Sequence, residues 1–158
     1  MAIMHAQVIS VAPIPESTFI SSGLTPTSSA GTVSGALSDL SDGDYTDDWR
    51  SNVDPATNVS NDWIRYDFTS TKTVTSARIS PRNSPTNGSY KIQYSDNDSA
   101  WSNSGTTFSG QTATKPSYNT LDISGDAPGA HRYWRVVNIS NSTGTSGWGY
   151  SEVELWGY

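Results

Sequence analysis

Short segments in which apolar and polar residues alternate recur along the chain. In segment 63–68 the apolar side chains of Ile64, Tyr66 and Phe68 fall on one side, and segment 90–94 repeats the pattern. A period of two residues predicts a β-strand with one buried face. The other predicted strands are 6–11, 18–20, 74–79, 118–123, 133–139 and 152–156. Because clusters of Gly, Pro, Asn and Ser separate them, and no segment has a helical period, the chain is predicted to be an all-β sandwich or barrel.

Two stretches carry no strand pattern. Residues 21–35 are rich in Ser, Thr and Gly and are predicted to be a loop, and residues 37–48 form an acidic stretch with a turn at Asp42-Gly43. The 158 residues suit one domain. We assign residues 1–15 to an N-terminal arm or first strand and residues 16–158 to the sandwich domain.

The charge balance narrows the class of partner. Fifteen acidic residues against nine basic ones give a net charge of −6. An acidic surface repels phosphate backbones and anionic lipid heads, so nucleic acid is an unfavourable partner, whereas a neutral sugar is not penalised. No apolar run reaches the roughly 18 residues of a transmembrane segment. Because residues 1–11 have no basic region, no signal peptide is visible.

Four blocks of the sequence, taken in order, carry a family resemblance. They are LSDGDYTDDW at 40–49, WIRYDF at 63–68, the stretch 77–101, and HRYWRV at 131–136 with the ending SEVELWG at 151–157. Together these blocks resemble the discoidin or coagulation-factor type C family, which includes many family 32 carbohydrate-binding modules. The resemblance implies an antiparallel jelly-roll β-sandwich of the galactose-binding type.

Three positions depart from the family pattern. Asp47 stands where the family has Thr, and both Thr69 and Asp98 stand where it has Gly. Asp tolerates the left-handed backbone conformation better than most residues, so the turn at Asp98 is expected to form. The change at Asp47 affects a position of the metal site that the resemblance implies.

The acidic loop is a candidate calcium site. Asp42, Asp44, Asp47 and Asp48 occupy seven residues around Gly43, and Ca²⁺ prefers six to eight oxygen ligands. The resemblance implies a structural Ca²⁺ held by Asp42, Asp47 and Glu152 with backbone carbonyls nearby, and Asp44 of the same loop is a further candidate ligand. The alternative interpretation is a solvated acidic loop in which the Asp side chains cap turns.

A loop between two predicted strands offers hydrogen-bonding groups for a sugar. Arg82, Asn83 and Asn87 lie in ISPRNSPTNGSY, and Arg and Asn side chains suit vicinal hydroxyls. The spacing of Arg82 and Asn87 resembles that of the hydroxyl-binding pair in sugar-binding members of the family. Alternatively, Arg82 forms a salt bridge or packs its stem, and Asn87-Gly88 is simply a turn.

Trp148 lies in a Gly-rich loop between two strong strands. An exposed ring there would stack on the apolar face of a pyranose, and Tyr45 and Tyr150 would assist; alternatively Trp148 covers the core. The other tryptophans at family positions are predicted to be core residues: Trp49, Trp63, Trp101 and Trp134.

No catalytic motif is present in the sequence, so the protein is predicted not to be an enzyme. His131 has no nucleophile or metal partner nearby in sequence. Glu152 and Glu154 alternate on one strand, point the same way, and lie roughly 7 Å apart. That separation fits an inverting glycosidase pair, but we interpret Glu154 as a residue of the strand face.

Two functional hypotheses follow from these observations. The first is a glycan-binding adhesion module, extracellular or on a virion surface. A monosaccharide of about twelve heavy atoms gains only about 4 kcal/mol, which is millimolar binding, so a homo-oligomer or array is expected to supply avidity. The second is a structural subunit of a phage-like virion that assembles with other structural proteins through residues 1–15.

Overall fold

The computed structural model describes residues 15–29, 35–46, 62–81, 88–114, 116–140 and 150–158. Within them lie nine strands: β1 (Thr18–Phe19), β2 (Thr27–Ser28), β3 (Trp63–Lys72), β4 (Val74–Pro81), β5 (Gly88–Ser95), β6 (Ser102–Gln111), β7 (Asn119–Asp122), β8 (His131–Ser140) and β9 (Tyr150–Gly157). One sheet has the order β1-β9-β4-β7 and the other β2-β3-β8-β5-β6, with antiparallel pairing throughout. The predicted antiparallel sandwich is confirmed.

The core lies between the two sheets. As the alternation predicts, Ile64, Tyr66 and Phe68 of β3 are buried, as are Tyr90 and Ile92 of β5. Burial of one such side chain contributes about 1.5–3 kcal/mol. The Tyr66 hydroxyl also donates a hydrogen bond to the Val153 carbonyl at 2.5 Å, which ties β3 to β9 across the core.

The sequence-based boundaries were wrong in several places. The predicted loop 21–35 contains β2, and β6 was not predicted because SNSGTTFSGQ has a single large apolar residue, Phe108. Two short 3-10 helices, Leu37–Ser41 and Ser124–Asp126, were also missed. The last strand of the four-stranded sheet is shorter than the predicted segment 118–123.

Two of the four tryptophans predicted to be core residues lie outside the core. Trp134 is fully buried, but Trp63 and Trp101 are partly exposed on the outer face of the five-stranded sheet. The Arg135 guanidinium lies 4.0 Å from the Trp101 ring centroid and 5.6 Å from that of Trp63. These rings pack against a cation, which explains large aromatic side chains on an outer face. Trp49 lies outside the described residues.

Thr69 and Asp98 both adopt the left-handed backbone conformation, with φ of 59° each. The turn expected at Asp98 therefore forms, and its carboxylate makes an ion pair with Arg65. Thr69 is held by Asp67, whose Oδ1 accepts the Thr69 N–H at 2.8 Å. Both residues adopt the left-handed backbone conformation that Gly adopts without steric cost.

β6 forms the outer edge of the five-stranded sheet, and its register against β5 is irregular. Tyr90 pairs with Phe108, but Ile92 pairs with Ser104, so β6 carries extra residues between two adjacent pairs. Gly105 and Gly110 have φ of 74° and 67°. The positive φ at Gly105 favours Gly, and a Cβ there would also displace the Asp126 carboxylate. The edge strand is thus strongly bulged.

Residues 1–14 of the predicted arm lie outside the described residues, so the proposed domain division and its docking role stay predictions. None of the helices in the described part of the chain has the length and hydropathy needed to cross a membrane.

Candidate functional site

The strands that flank the two predicted sugar-binding loops end side by side. Pro81 at the end of β4 pairs with Tyr150 at the start of β9, and Ser89 in β5 pairs with Ser140 at the end of β8. Segments 82–87 and 141–149 therefore connect strand ends at one end of the sandwich, which we call the loop end. The predicted ligand-binding residues in them lie outside the described residues: Arg82, Asn83, Asn87 and Trp148.

A recess opens between the two sheets at the loop end. The space inside it has room for about one water-sized group. It is lined chiefly by Asp62, Trp63, Ile64, Val136, Tyr150 and Val153. Sequence analysis missed Asp62, although its position directly before the first alternating segment is a signal that it lies at a strand end.

Tyr150 lies in the wall of this recess and is 6% exposed. Burial is the main cause that raises the pKa of its hydroxyl, followed by the neighbouring Tyr90 hydroxyl and the charge of Asp62. Tyr150 is therefore placed next to the loops that carry the predicted sugar contacts, with most of its surface packed against the core.

Tyr45 lies elsewhere, against the outer face of the four-stranded sheet. Its ring centroid is 5.2 Å from that of Tyr118. Burial, then the neighbouring Glu154 carboxylate, raises the pKa of the Tyr45 hydroxyl. The described contacts of Tyr45 do not overlap with those of Tyr150, so the structure does not bring these two predicted ligand-binding residues together.

Glu152 is fully buried on the outer face of β9. Neither of its carboxylate oxygens has a hydrogen-bond partner among the described residues. Asp42 and the Gly43 backbone lie close enough to act on it without completing a hydrogen bond, and burial together with Asp42 raises the pKa of Glu152 to about 9. The structure thus brings Asp42 and Glu152 together, as the family resemblance implies.

The acidic loop beside Glu152 uses several of its oxygens in turns. Asp42 Oδ1 accepts the Asp44 N–H at 2.8 Å, and Asp44 Oδ1 accepts the Thr46 N–H at 2.8 Å. These contacts match the alternative interpretation of Asp side chains that cap turns. Asp47 lies outside the described residues, within which no group of three or more His, Cys, Asp or Glu side chains could hold a metal ion.

Glu154 shares the outer face of β9 with Glu152, as the alternation predicts, and is 1% exposed. Its Oε2 accepts a hydrogen bond from Trp156 Nε1 at 2.7 Å. The Arg78 guanidinium lies 3.8 Å from the centroid of a Trp156 ring and 4.6 Å from that of Tyr118. Glu154 therefore belongs to a packed cluster, and its burial was not predicted.

His131 makes contacts that fit a structural role. Its Nδ1 lies 3.1 Å from an Asp96 oxygen, and its Nε2 lies 2.9 Å from the Pro128 carbonyl oxygen. The ring stacks on Tyr94 with centroids 4.0 Å apart. These partners tie the start of β8 to two turns and include no serine, threonine or cysteine nucleophile.

Comparison with known proteins points to one family of domains. The F5/8 type C domain model matches residues 21–153. No curated protein matches the sequence at a significant level.

Several solved carbohydrate-binding modules share the fold. Chitosan-binding module 1 of a chitosanase/glucanase from Paenibacillus sp. IK-5 superposes with a TM-score of 0.66 at 21% identity, covering 89% of this chain and 99% of that one. The family 32 module of Clostridium perfringens NanJ, in complex with galactose, gives 0.64 at 16% identity, covering 89% and 99%. CpGH89CBM32-4 of C. perfringens, in complex with glcNAc-alpha-1,4-galactose, gives 0.61 at 11% identity, covering 89% and 94%.

Proposed function

The chain belongs to the F5/8 type C domain family, and from that premise we propose that it is a non-catalytic module that binds extracellular glycans. The observation that carries the proposal is the loop end, where segments 82–87 and 141–149 connect neighbouring strand ends beside an open recess. Solved modules of similar fold bind chitosan, galactose and glcNAc-alpha-1,4-galactose. Loops held by a rigid sandwich are the usual place for such contacts.

In this proposal the residues of the two segments make two kinds of contact with the sugar. Arg82, Asn83 and Asn87 donate and accept hydrogen bonds to ring hydroxyls. Trp148 stacks on the apolar face of the sugar. Tyr150 supports the recess from the core side. Each site gains little free energy, so several linked copies supply useful avidity.

We further propose that Glu152 and the acidic loop hold a structural Ca²⁺. The supporting observation is that both Glu152 oxygens are buried without a hydrogen-bond partner, next to Asp42. A buried carboxylate without a partner is costly, and a cation removes that cost. When bound, Ca²⁺ supplies charge neutralisation. Asp42, Asp47 and Glu152 are the proposed carboxylate ligands, with Asp44 shaping the loop, and together they fasten residues 42–47 to β9.

Binding is tested by displaying the full chain in multivalent form on a glycan array and then measuring the best ligand by calorimetry. We expect Arg82→Ala and Trp148→Ala each to weaken binding about tenfold or more, which corresponds to about 1.4 kcal/mol. Arg132→Ala is the matched control, because Arg132 pairs with Asp67 near the opposite end of β8. Absence of binding to every glycan by the multivalent wild type contradicts the proposed function.

A further inference from the structure

A chain of ring contacts with a guanidinium at its centre runs along the outer face of the four-stranded sheet. The Arg78 guanidinium lies 3.8 Å from the centroid of a Trp156 ring and 4.6 Å from that of Tyr118. Phe19 stacks on Trp156 with centroids 5.6 Å apart, and Tyr45 packs on Tyr118 at 5.2 Å. We call these five side chains the ring ladder, in the order Phe19, Trp156, Arg78, Tyr118 and Tyr45.

The ring ladder meets the acidic loop at both of its ends. Tyr45 itself belongs to the loop, and its hydroxyl is buried beside Glu154. At the other end Phe19 lies next to Gly43, because a Cβ built on Gly43 would be 3.9 Å from Phe19 Cε1. Gly43 has φ of 84°, a backbone conformation that favours Gly. The rings therefore fix the loop against the sheet on either side of Asp44.

The acidic side chains do not by themselves hold the loop in this place. Asp42 lies beside the buried Glu152 carboxylate, yet neither Glu152 oxygen has a hydrogen-bond partner among the described residues. Two carboxylates brought together repel each other. The start of the loop is attached at Ser41, whose carbonyl accepts the Gly23 N–H at 3.1 Å. Beyond Ser41, contact with the ring ladder offsets the repulsion between the carboxylates.

We propose that the ring ladder is the positioning element of the Ca²⁺ site and that Tyr118 is a positioning residue within it. This inference rests on the Ca²⁺ site proposed above. The ladder holds Asp42 at Glu152 before the ion arrives, so binding requires little further ordering of the loop. Tyr118 lies outside the loop and is not a proposed ligand, but its ring joins Arg78 to Tyr45.

The test measures Ca²⁺ binding to the full chain by calorimetry. Tyr118→Ala interrupts the ladder, and we expect it to raise the Kd for Ca²⁺ about tenfold, because the loop must then be ordered on binding. Tyr118→Phe keeps the ring and should retain the wild-type Kd. Tyr158→Ala is the matched control, since Tyr158 is 38% exposed against 39% for Tyr118, and its ring has no aromatic or cation contact with the described residues.

Hydrogen exchange in chelator separates positioning from a general structural role. The Asp44 and Thr46 N–H groups donate hydrogen bonds within the loop. In Tyr118→Ala we expect both to exchange faster than in the wild type, with exchange in β3 and β8 unchanged. Phe19→Leu interrupts the other end of the ladder and should have the same two effects, so the proposal stays testable if Tyr118→Ala does not fold.

Three results would overturn the proposal. If the wild type binds Ca²⁺ and Tyr118→Ala and Phe19→Leu bind it equally tightly, the ladder does not position the loop, and the Ca²⁺ site stands. If exchange accelerates throughout the strands as well as in the loop, the ladder only stabilises the fold. If the wild type itself binds no Ca²⁺, the proposed site is refuted and the role of the ladder with it.

Discussion

Two buried glutamates on the same face of β9 differ in whether their carboxylates have a hydrogen-bond partner. Glu154 and Glu152 are separated by one residue and are 1% and 0% exposed. Glu154 accepts a hydrogen bond from Trp156, whereas neither oxygen of Glu152 has a partner among the described residues. A buried carboxylate that the fold satisfies stabilises the fold, while one that it leaves unsatisfied is retained at a cost. The difference separates a structural residue from a candidate binding residue.

The largest expected effect is that of Ca²⁺ on the thermal stability of the protein, and it should depend on Glu152 but not on Glu154. Ca²⁺ at about a hundred times its Kd adds about 2.7 kcal/mol to the free energy of unfolding and raises Tm by about 5–10 °C. Glu152→Gln is expected to abolish the shift, because it removes a proposed ligand, and Glu154→Gln to retain it. Differential scanning calorimetry with Ca²⁺ or chelator measures both. An identical Tm in Ca²⁺ and in chelator for the wild type rejects the metal assignment.

The second prediction concerns a variant in which Glu154 loses its hydrogen-bond donor and so lacks a partner, as Glu152 does. Trp156→Phe keeps an aromatic ring beside Phe19 and Arg78 but removes the indole N–H that Glu154 accepts. We expect a loss of about 1–3 kcal/mol in the free energy of unfolding, because a buried carboxylate loses its donor. Urea titration measures the change. A loss below about 0.5 kcal/mol would mean that the Trp156 contact contributes little to Glu154.

The third effect is a pH dependence that belongs to Glu152. In the folded protein the pKa of Glu152 is raised from 4.5 to about 9. Between these values the folded state binds more protons than the unfolded chain, so the free energy of unfolding falls as pH rises. With chelator present, we expect a loss on the order of 1 kcal/mol between about pH 6 and 8 in urea titrations. Glu152→Gln should flatten this profile, and an unchanged slope in that variant would assign the titration to another group.

The smallest effect is expected at Tyr45. Its hydroxyl is buried beside Glu154, but no acceptor or donor among the described residues forms a hydrogen bond with it. Tyr45→Phe should therefore change the free energy of unfolding by no more than about 0.5 kcal/mol. Thermal unfolding compared with Trp156→Phe measures this. A loss as large as that of Trp156→Phe would make Tyr45 a second partner of Glu154.

The strands that sequence analysis identified are those with one apolar face. Segments 63–68 and 90–94 alternate because one face packs on the core and the other on solvent or on cations. β6 lacks that pattern, since as an edge strand with bulges it buries few of its side chains. Trp63 and Trp101 were misassigned because large aromatic residues also pack on Arg135, outside the core.

The candidate sites were predictable only in part. The acidic loop and Glu152 are visible as residues that match the family pattern, and the structure places Asp42 beside Glu152. The burial of Glu154 depends on which residues cover the outer face of β9. The alternation of residues within β9 carries no information about those neighbours. Asp62 was missed for a similar reason: its position at the recess is set by contacts with Ser29 and Asn138, which are distant in sequence.

The irregular outer strand of the five-stranded sheet has a consequence for a protein proposed to work in many copies. A long, flat, uncharged edge is a template on which neighbouring chains add strands and aggregate. β6 has extra residues between Ser104, which pairs with Ile92, and Phe108, which pairs with Tyr90, and Gly105 among them has a left-handed backbone. This irregularity interrupts the row of backbone donors and acceptors that such a template needs. Crowded copies can therefore stand next to one another at high local concentration without joining into continuous sheets.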